Sequence, residues 1–357
     1  MSKYWSGITA RLVPYVPGEQ PRDKKYIKLN TNENPYPPSP KVLEAITGAV
    51  NADLRLYPDP TCDNLRRTVA DYCGLSERQV FIGNGSDEIL AFSFVAFFNP
   101  GEPILFPDIT YSFYKVYANL YGLSYQTVPL DDEFNIPMEP FHAANGGVII
   151  PNPNAPTAKA VPVDFIRSVL ENNLERAVII DEAYIDFGGE SAVRLVAEYP
   201  NLLVIQTLSK SRSLAGLRVG IALGSEELIE GLERVKNSFN SYTLDRLALS
   251  GAIAAFQDED YFQEATQKVI RTREMTMTQL RELGCKVLDS KANFVFITHP
   301  AVPAKQLLEE LRAEGILVRY FAQPRIDNYL RVSIGTDEDM ERFIQTFQMI
   351  ISRHVNE

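Results

Sequence analysis

Short apolar runs recur between residues 78 and 207, and most are followed by a polar loop and then by a segment with helical spacing. Polar residues rarely interrupt these runs, which is typical of strands buried on both faces of a parallel sheet. The predicted strands are 79–82, 104–107, 148–150, 177–180 and 203–205. We therefore predict an α/β fold whose large, mostly parallel sheet is covered by helices on both sides.

The chain of 357 residues is long for a single domain. The pattern of predicted elements changes after Gly284, where short strands and helices alternate. We predict an N-terminal arm over residues 1–40, a large domain over 41–284 and a smaller α+β C-terminal domain over 285–357. The arm is rich in proline, asparagine and tyrosine, and we expect it to join the small domain.

Composition excludes several classes of function. The net charge of −11 gives no indication of binding to nucleic acid or to an anionic membrane, since both partners are negatively charged as well. Three cysteines, Cys62, Cys73 and Cys285, are too few and too scattered for a disulfide framework or a zinc site, so we expect no metal. The apolar runs are too short to span a bilayer, and a reducing cytoplasm is the expected compartment.

Unusual polar residues follow several of the predicted strands. In an open α/β sheet the ligand crevice lies beyond the carboxyl ends of the strands, so these residues are expected to face one pocket. The clusters are Gly85-Ser86-Asp87, Asn154, Asp181 with Tyr184, and Ser209-Lys210. Each cluster alone is a weak signal, and their convergence on one edge carries the prediction.

Lys210 is the candidate for covalent chemistry, because a lysine amine in its neutral form attacks carbonyls to give Schiff bases. Taken alone, however, Lys210 is more simply explained as a lysine in an ordinary loop without a catalytic role. The segment 83–88 opens a predicted helix, whose backbone N–H groups and dipole suit a phosphate, and Arg218 and Ser209 add a cation and a hydroxyl. Glu88 replaces the third glycine of a dinucleotide motif, and no P-loop is present.

A phosphate site, a lysine and a strand-end carboxylate together fit pyridoxal 5'-phosphate. A buried aspartate keeps the ring nitrogen of this cofactor protonated, and Asp181 is the candidate. We expect Tyr184 to hydrogen-bond the phenolic oxygen O3' and Tyr111 to lie over the ring. Helix capping by Asp181 and core packing by Tyr111 are the simpler alternatives.

These motifs resemble those of fold type I pyridoxal-phosphate enzymes, and among them the class II histidinol-phosphate aminotransferases. The resemblance runs nearly end to end and ends on Leu330-Arg331-Val332-Ser333-Ile334-Gly335-Thr336. The other similar segments are 14–15, 29–35, 57–60, 83–88, 181–184, 207–210 and 216–220.

The resemblance implies a role for each matching residue. Lys210 would hold the cofactor covalently and act as the catalytic residue. Cofactor binding would fall to Gly85, Ser86, Asp87, Tyr111, Asn154, Asp181, Tyr184, Ser209 and Arg218, with Tyr57 reaching across from the other subunit of a homodimer. Arg331 would take the carboxylate of glutamate or 2-oxoglutarate. The phosphate of histidinol phosphate would be held by Tyr15, Asn32, Arg319 and Arg331.

One segment departs from the family pattern. The family usually reads Asn-Asn-Pro-Thr-Gly after the third strand, and this chain has Asn154-Ala155-Pro156-Thr157-Ala158. Either Asn154 reaches O3' through a shifted loop, or Tyr184 makes that bond alone.

The implied reaction is a transamination between a small amino donor and a 2-oxo acid acceptor. Histidinol phosphate and 2-oxoglutarate would give imidazole-acetol phosphate and glutamate, a step of histidine biosynthesis. A threonine-phosphate decarboxylase, an aromatic amino acid aminotransferase and a non-catalytic pyridoxal-phosphate binding protein remain open as alternatives.

Overall fold

The computed structural model describes residues 2–16 and 18–355. Its strands are β1 (Ile27–Lys28), β2 (Val80–Asn84), β3 (Ile104–Pro107), β4 (Tyr125–Val128), β5 (Gly147–Pro151), β6 (Val178–Asp181), β7 (Leu202–Thr207), β8 (Val219–Gly224), β9 (Lys286–Val287), β10 (Phe294–Thr298), β11 (Ile316–Leu317), β12 (Arg319–Tyr320) and β13 (Leu330–Ser333). Its α-helices are α1 (Gly7–Arg11), α2 (Pro40–Ala49), α3 (Asp63–Cys73), α4 (Gly85–Phe97), α5 (Phe113–Tyr121), α6 (Val163–Glu171), α7 (Glu226–Phe239), α8 (Arg246–Gln257), α9 (Glu259–Glu282), α10 (Ala304–Ala313) and α11 (Asp337–Val355).

The large sheet has seven strands within the described residues, in the order β2-β8-β7-β6-β5-β3-β4. Strand β8 runs antiparallel to both of its neighbours, and the other neighbouring pairs are parallel. The predicted α/β fold with a mostly parallel sheet is therefore confirmed.

Two strands of this sheet escaped the sequence prediction. Strand β8 contains Gly220 and Gly224, and glycine is depleted in strands because it has no side chain to pack. Strand β4 lies at the sheet edge and is only partly buried, so it lacks the continuous apolar run of its neighbours.

The central strands are buried because their side chains alternate between two apolar layers. Ile149, Ile179 and Leu203 point into the core shared with α4, α5 and α7. Their neighbours Val148 and Val178 belong to the core on the opposite face, which α3, α6 and α8 cover. With helices on both faces, polar side chains of these strands are accommodated only where the strands end.

The C-terminal segment forms a second, antiparallel sheet in the order β12-β13-β10-β9. Helices α10 and α11 pack with it around a separate apolar core. Strand β1 of the arm pairs in parallel with β11, Ile27 opposite Ile316, which joins the arm to this unit as expected. The neighbouring strands β11 and β12 pair in different sheets, although one residue alone separates them. The boundary between residues 284 and 285 stays a prediction.

None of the helices in residues 2–16 and 18–355 combines the length and apolarity needed to cross a membrane.

Strand β8 passes very close to the start of α4, and Gly220 makes this approach possible. A Cβ atom added at Gly220 would lie 2.4 Å from the backbone carbon of Gly85 and 2.5 Å from the backbone nitrogen of Ser86. Backbone atoms cannot turn aside as a flexible side chain can, so a methyl group at this position would push strand and helix apart.

We expect Gly220→Ala to lower the free energy of unfolding by more than about 2 kcal/mol, as overpacked sites in protein cores do. Urea denaturation of the purified variant measures the loss. Gly216→Ala is the matched control, since a Cβ there meets no atom within 4 Å. Equal stability of the two variants would contradict the proposed clash.

Candidate functional site

A cavity of about 660 Å³ opens at the carboxyl ends of the central strands, between the large sheet, the arm and the small domain. Most of the residues singled out from the sequence line it. They are Tyr15, Asn32, Ser86, Asp87, Tyr111, Asp181, Tyr184, Ser209, Lys210, Arg218, Arg319 and Arg331. The predicted convergence on one pocket therefore holds for these twelve residues, while Gly85, Asn154 and Tyr57 lie outside the lining.

Lys210 follows β7 and projects its amine into the cavity. Within the described residues, the amine has one hydrogen-bond partner, the Thr31 carbonyl oxygen at 3.5 Å, and no carboxylate within ion-pairing distance. The Tyr184 ring centroid lies 5.7 Å from Lys210 Nζ. Asn34 in the arm donates to the carbonyl oxygens of Lys210 and Ser211, both at 3.0 Å, and so holds the backbone of this loop.

Asp181 is the last residue of β6 and is buried at the floor of the cavity. Its Oδ2 accepts a hydrogen bond from the Tyr114 hydroxyl at 2.7 Å, and its Oδ1 accepts one from the backbone N–H of Ala183 at 3.3 Å. Burial raises the pKa of Asp181 from 3.8 to about 6, because removal from water disfavours the charged form, while the bond from Tyr114 works in the opposite direction.

The start of α4 forms a cradle beside Arg218. Gly85 has φ +77°, and a Cβ there would lie 2.6 Å from the Arg218 guanidinium, so only glycine lets backbone and cation approach this closely. The free N–H groups of the first helical turn, which includes Ser86, and the Arg218 charge suit a phosphate. The Asp87 carboxylate pairs with Arg218 at 3.2 Å and accepts from the Tyr111 hydroxyl at 2.8 Å, so its side chain orients both residues.

Ser209 and Thr207 complete this end of the cavity. Their hydroxyl oxygens lie 3.0 Å apart, and the backbone N–H of Ser209 donates to Thr207 Oγ1 at 3.2 Å. The Tyr111 ring packs edge-on against Tyr114, with centroids 5.8 Å apart, which fixes its plane at the cavity wall.

Tyr184 and Asn32 lie on the opposite side of the cavity. Asn32 Nδ2 donates to the Tyr184 hydroxyl at 3.1 Å, and Ser333 on β13 donates to Asn32 Oδ1 at 2.9 Å. Both functional atoms of the Asn32 amide therefore have protein partners.

Asn154 is fully buried beside the cavity. Its Nδ2 donates to the Ile109 carbonyl oxygen and to Thr157 Oγ1, and its Oδ1 accepts from Thr110. Ala155, not Asn154, contributes to the lining at this point. This geometry favours the alternative in which Tyr184 alone serves O3'.

Arg319 and Arg331 form a cationic end of the cavity. Arg331 donates to the Asn30 carbonyl oxygen at 3.0 Å, and Arg319 donates to the Val16 carbonyl oxygen at 3.3 Å. Burial lowers the pKa of the Arg331 guanidinium from its usual range, yet arginine stays charged at neutral pH. Among residues 2–16 and 18–355, neither arginine has an acidic partner within 4.0 Å, and Arg331 Nε lacks any hydrogen bond. The two charges are thus available to an anionic ligand.

Tyr15 from the arm closes this region. Its ring stacks on Phe113 with centroids 4.4 Å apart, and Arg331 lies 5.5 Å from the centroid of Phe321, which also lines the cavity. Tyr57, in contrast, is 77% exposed and stacks on Tyr242, away from the cavity of its own chain.

Sequence reasoning missed several residues that shape this site, chiefly Tyr114, Asn34 and Ser333. Tyr114 is three residues beyond Tyr111, in the first turn of α5, whereas Tyr111 precedes the helix. Asn34 and Ser333 lie within motifs that carried the resemblance, but no local pattern links them to Lys210 or Asn32.

The raised pKa of Asp181 predicts a pH-dependent stability for the cofactor-free chain. The folded chain holds the Asp181 proton more tightly than the unfolded chain, so this contribution to stability is complete below pH 3.8 and is lost as the pH rises through about 6. Asp181→Asn, which is neutral, should therefore be more stable than the parent chain at pH 8, by up to about 3 kcal/mol.

Urea denaturation between pH 4 and pH 8 tests this expectation, and the difference should shrink towards pH 4. Asp132→Asn provides a control at an exposed carboxylate. An Asp181→Asn chain that is less stable than its parent at pH 8 would contradict a desolvation penalty at this position.

Residues 24–347 match the family described as aminotransferase class I and II. The histidinol-phosphate aminotransferase of Clostridium acetobutylicum is 60% identical over 352 residues, which cover 99% of this chain and 100% of that protein. That of Clostridium beijerinckii is 60% identical over 357 residues and covers 100% of both chains.

Among solved structures, histidinol-phosphate aminotransferase from Sinorhizobium meliloti in complex with pyridoxal-5'-phosphate has the same fold, with a TM-score of 0.90 at 24% identity over 99% of each chain. The family match spans most of the sequence, and the relatives align along their whole length. The chain therefore belongs to the class I and II aminotransferase family.

Proposed function

We propose that this chain transfers the amino group of histidinol phosphate to 2-oxoglutarate, with pyridoxal 5'-phosphate as cofactor, in histidine biosynthesis. The observation that carries the proposal is the pair Arg319 and Arg331, two cations without acidic partners in the described chain, in the cavity that contains Lys210. The two relatives at 60% identity are named histidinol-phosphate aminotransferase, and the chain aligns with their full length, which supports the same assignment.

The residues present fit the proposed cofactor. Within the described residues the Lys210 amine has no carboxylate partner, and Asp181 is buried at the cavity floor. Ser86 in the first turn of α4 and Arg218 line the same cavity. When bound, pyridoxal 5'-phosphate supplies an aldehyde for the substrate amine and a protonated ring that draws electrons from the carbon losing its proton.

Lys210 is proposed to move the proton in this reaction. Within the described part of the chain, its amine has one weak partner in the cavity, the Thr31 carbonyl oxygen, so it can take the proton from the α-carbon of the amino donor. Asp181 is proposed to hold a proton on the ring nitrogen, and the short bond from Tyr114 favours the charged form of its carboxylate, which this role requires.

The substrate's anionic end is proposed to lie at Arg319 and Arg331. A planar guanidinium binds either a carboxylate or a phosphate through paired N–H groups, so one pair of arginines can serve both half-reactions. The aromatic side chains of Tyr15 and Phe321 beside these arginines limit the access of water, which strengthens the attraction between opposite charges.

A homodimer is part of the proposal. Tyr57 is largely exposed, and other apolar side chains near it in sequence or in space are exposed as well, namely Leu54, Leu56 and Tyr242. Such a patch is typical of a protein–protein interface. We propose that Tyr57 contacts the cofactor phosphate of the neighbouring subunit and that the enzyme works in the cytoplasm.

The proposed substrate is tested by giving the loaded enzyme histidinol phosphate, threonine phosphate or phenylalanine, each with 2-oxoglutarate. We expect glutamate to form with histidinol phosphate at a kcat/KM at least about 100-fold above that with phenylalanine, which lacks a phosphate, since the phosphate contacts contribute several kcal/mol. The kcat/KM for threonine phosphate should also be lower than that for histidinol phosphate. Lys210→Ala is the control and should give no turnover. Release of CO2 from threonine phosphate, or preference for phenylalanine, would replace the proposal with a decarboxylase or an aromatic aminotransferase.

The contribution of Tyr57 across the dimer is tested by mixing two inactive variants, Tyr57→Ala and Lys210→Ala, after unfolding and refolding them together. Each mixed dimer would contain one site with both native residues, so random pairing should restore about a quarter of the native sites. Glutamate formation measures the recovery. If Tyr57 serves its own chain's site, no mixed dimer contains an intact site and the activity stays at the level of the single variants.

A further inference from the structure

A chain of hydrogen bonds runs from the small domain to the cavity through Ser333, Asn32 and Tyr184. The backbone N–H of Asn32 donates to Ser333 Oγ at 2.8 Å, so the Ser333 hydroxyl proton is free to point to Asn32 Oδ1, 2.9 Å away. The carbonyl side of the Asn32 amide therefore faces Ser333 and its NH2 side faces Tyr184.

This orientation decides which way the Tyr184 hydroxyl points its proton. An amide NH2 group can only donate, so the Tyr184 oxygen, 3.1 Å from Asn32 Nδ2, accepts that bond. Within residues 2–16 and 18–355 the structure offers no acceptor for the Tyr184 proton itself. The phenol is thus left as a donor that faces the cavity, which it lines.

The amide is held rigidly enough to impose this direction. Asn32 is 1% exposed, and its backbone carbonyl oxygen accepts a hydrogen bond from the buried Asn293 side chain at 3.0 Å. Its φ of +57° is a left-handed conformation that asparagine and aspartate tolerate better than most residues. The Tyr184 ring is fixed as well, since it packs edge-on against Phe294 with centroids 5.1 Å apart.

We propose that Asn32 is a positioning residue that acts through Tyr184. Its amide, oriented by Ser333, makes the Tyr184 hydroxyl a hydrogen-bond donor to the phenolic oxygen of the cofactor. Asn32 then acts on the electronics of the cofactor and not directly on the substrate phosphate. This inference rests on the proposed function only in requiring that pyridoxal 5'-phosphate binds at Lys210.

The consequence is measurable in the loaded enzyme without any substrate. A hydrogen bond donated to the phenolic oxygen stabilises its negative charge and weakens its hold on the proton that it shares with the Lys210 nitrogen. The visible absorption of the bound cofactor follows this proton, so the pH midpoint of the spectral change reports on the bond from Tyr184.

Asn32→Asp keeps the size of the side chain but replaces the donor with an oxygen. Its carboxylate accepts from both Ser333 and Tyr184, and it draws the phenol proton away from the cofactor. We expect the spectral midpoint to rise by about one pH unit, the equivalent of one hydrogen bond to a charged group.

The new charge of the aspartate would raise the midpoint by itself, and a double-mutant cycle separates the two effects. If Asn32 acts through the phenol, the rise caused by Asn32→Asp should be largely lost in a Tyr184→Phe background. Other charged or titratable groups near Tyr184, namely Lys210, Arg331, Tyr114 and Asp181, are the same in all four proteins. Equal rises in both backgrounds would overturn the inference.

Ser333→Ala tests the same chain without adding charge and is the second variant should Asn32→Asp fail to fold. It removes the donor that orients the amide, so the midpoint should rise, by less than in Asn32→Asp. Ser290→Ala is the matched control, because Ser290 is a buried serine nearby that bonds the Phe294 carbonyl oxygen and does not line the cavity. Identical midpoints for the two serine variants would overturn the orienting role of Ser333.

These outcomes are distinct from a failure of the proposed reaction. The spectra need the loaded enzyme alone, so a different amino substrate would leave the inference intact. A parent chain that takes up no cofactor would overturn the proposed function and this inference together.

Discussion

Burial of the central strands between two apolar layers is the constraint on which the rest of the structure depends. Side chains of β5, β6 and β7 alternate into both cores, so a charged residue within them would have no water and no partner. Charge is therefore confined to the strand ends. Asp181 is the last residue of β6, and Lys210 follows β7, which brings both to the same cavity.

The placement of Asp181 has an energetic cost that the surrounding side chains reduce. Removal from water disfavours its charged form, and the hydroxyl of fully buried Tyr114 offsets part of this effect through a 2.7 Å bond. Tyr111, just before α5, bonds the Asp87 carboxylate that also pairs with Arg218. One aromatic segment therefore orients groups both at the floor of the cavity and at the end that contains Arg218.

Strand β13 connects the end of the cavity that contains Arg331 to the side that contains Tyr184. Arg331 and Ser333 are two residues apart, so their side chains leave the strand on the same face. The arm lies along this face, where Arg331 bonds the Asn30 carbonyl oxygen and Ser333 bonds the Asn32 side chain. The small domain thus contacts Tyr184 indirectly, through the arm. A displacement of β13 would move both the Arg331 guanidinium and the Asn32 side chain that bonds Tyr184.

The large sheet and much of the cavity could be predicted from local pattern. Lys210 and Asp181 were found because strand ends meet at one edge, whatever the details of packing, and Arg218 was added as a cation for the phosphate expected there. Tyr114, Asn34 and Ser333 could not be found in this way, since their partners lie 67, 176 and 301 residues away along the chain. Strand β8 was missed because its glycines suppress the strand signal, although those glycines permit the close approach to α4.

By itself, the sequence determined the α/β architecture and the identity of the reactive groups, because periodic burial and strand-end chemistry are local properties. Only the tertiary structure decided which hydrogen-bond partners those groups have. A donor or acceptor is assigned by distance and angle, and these arise when the arm, the large sheet and the small domain pack together. Asn32 illustrates the difference, because only its contacts with Ser333 and Tyr184 give its side chain a direction.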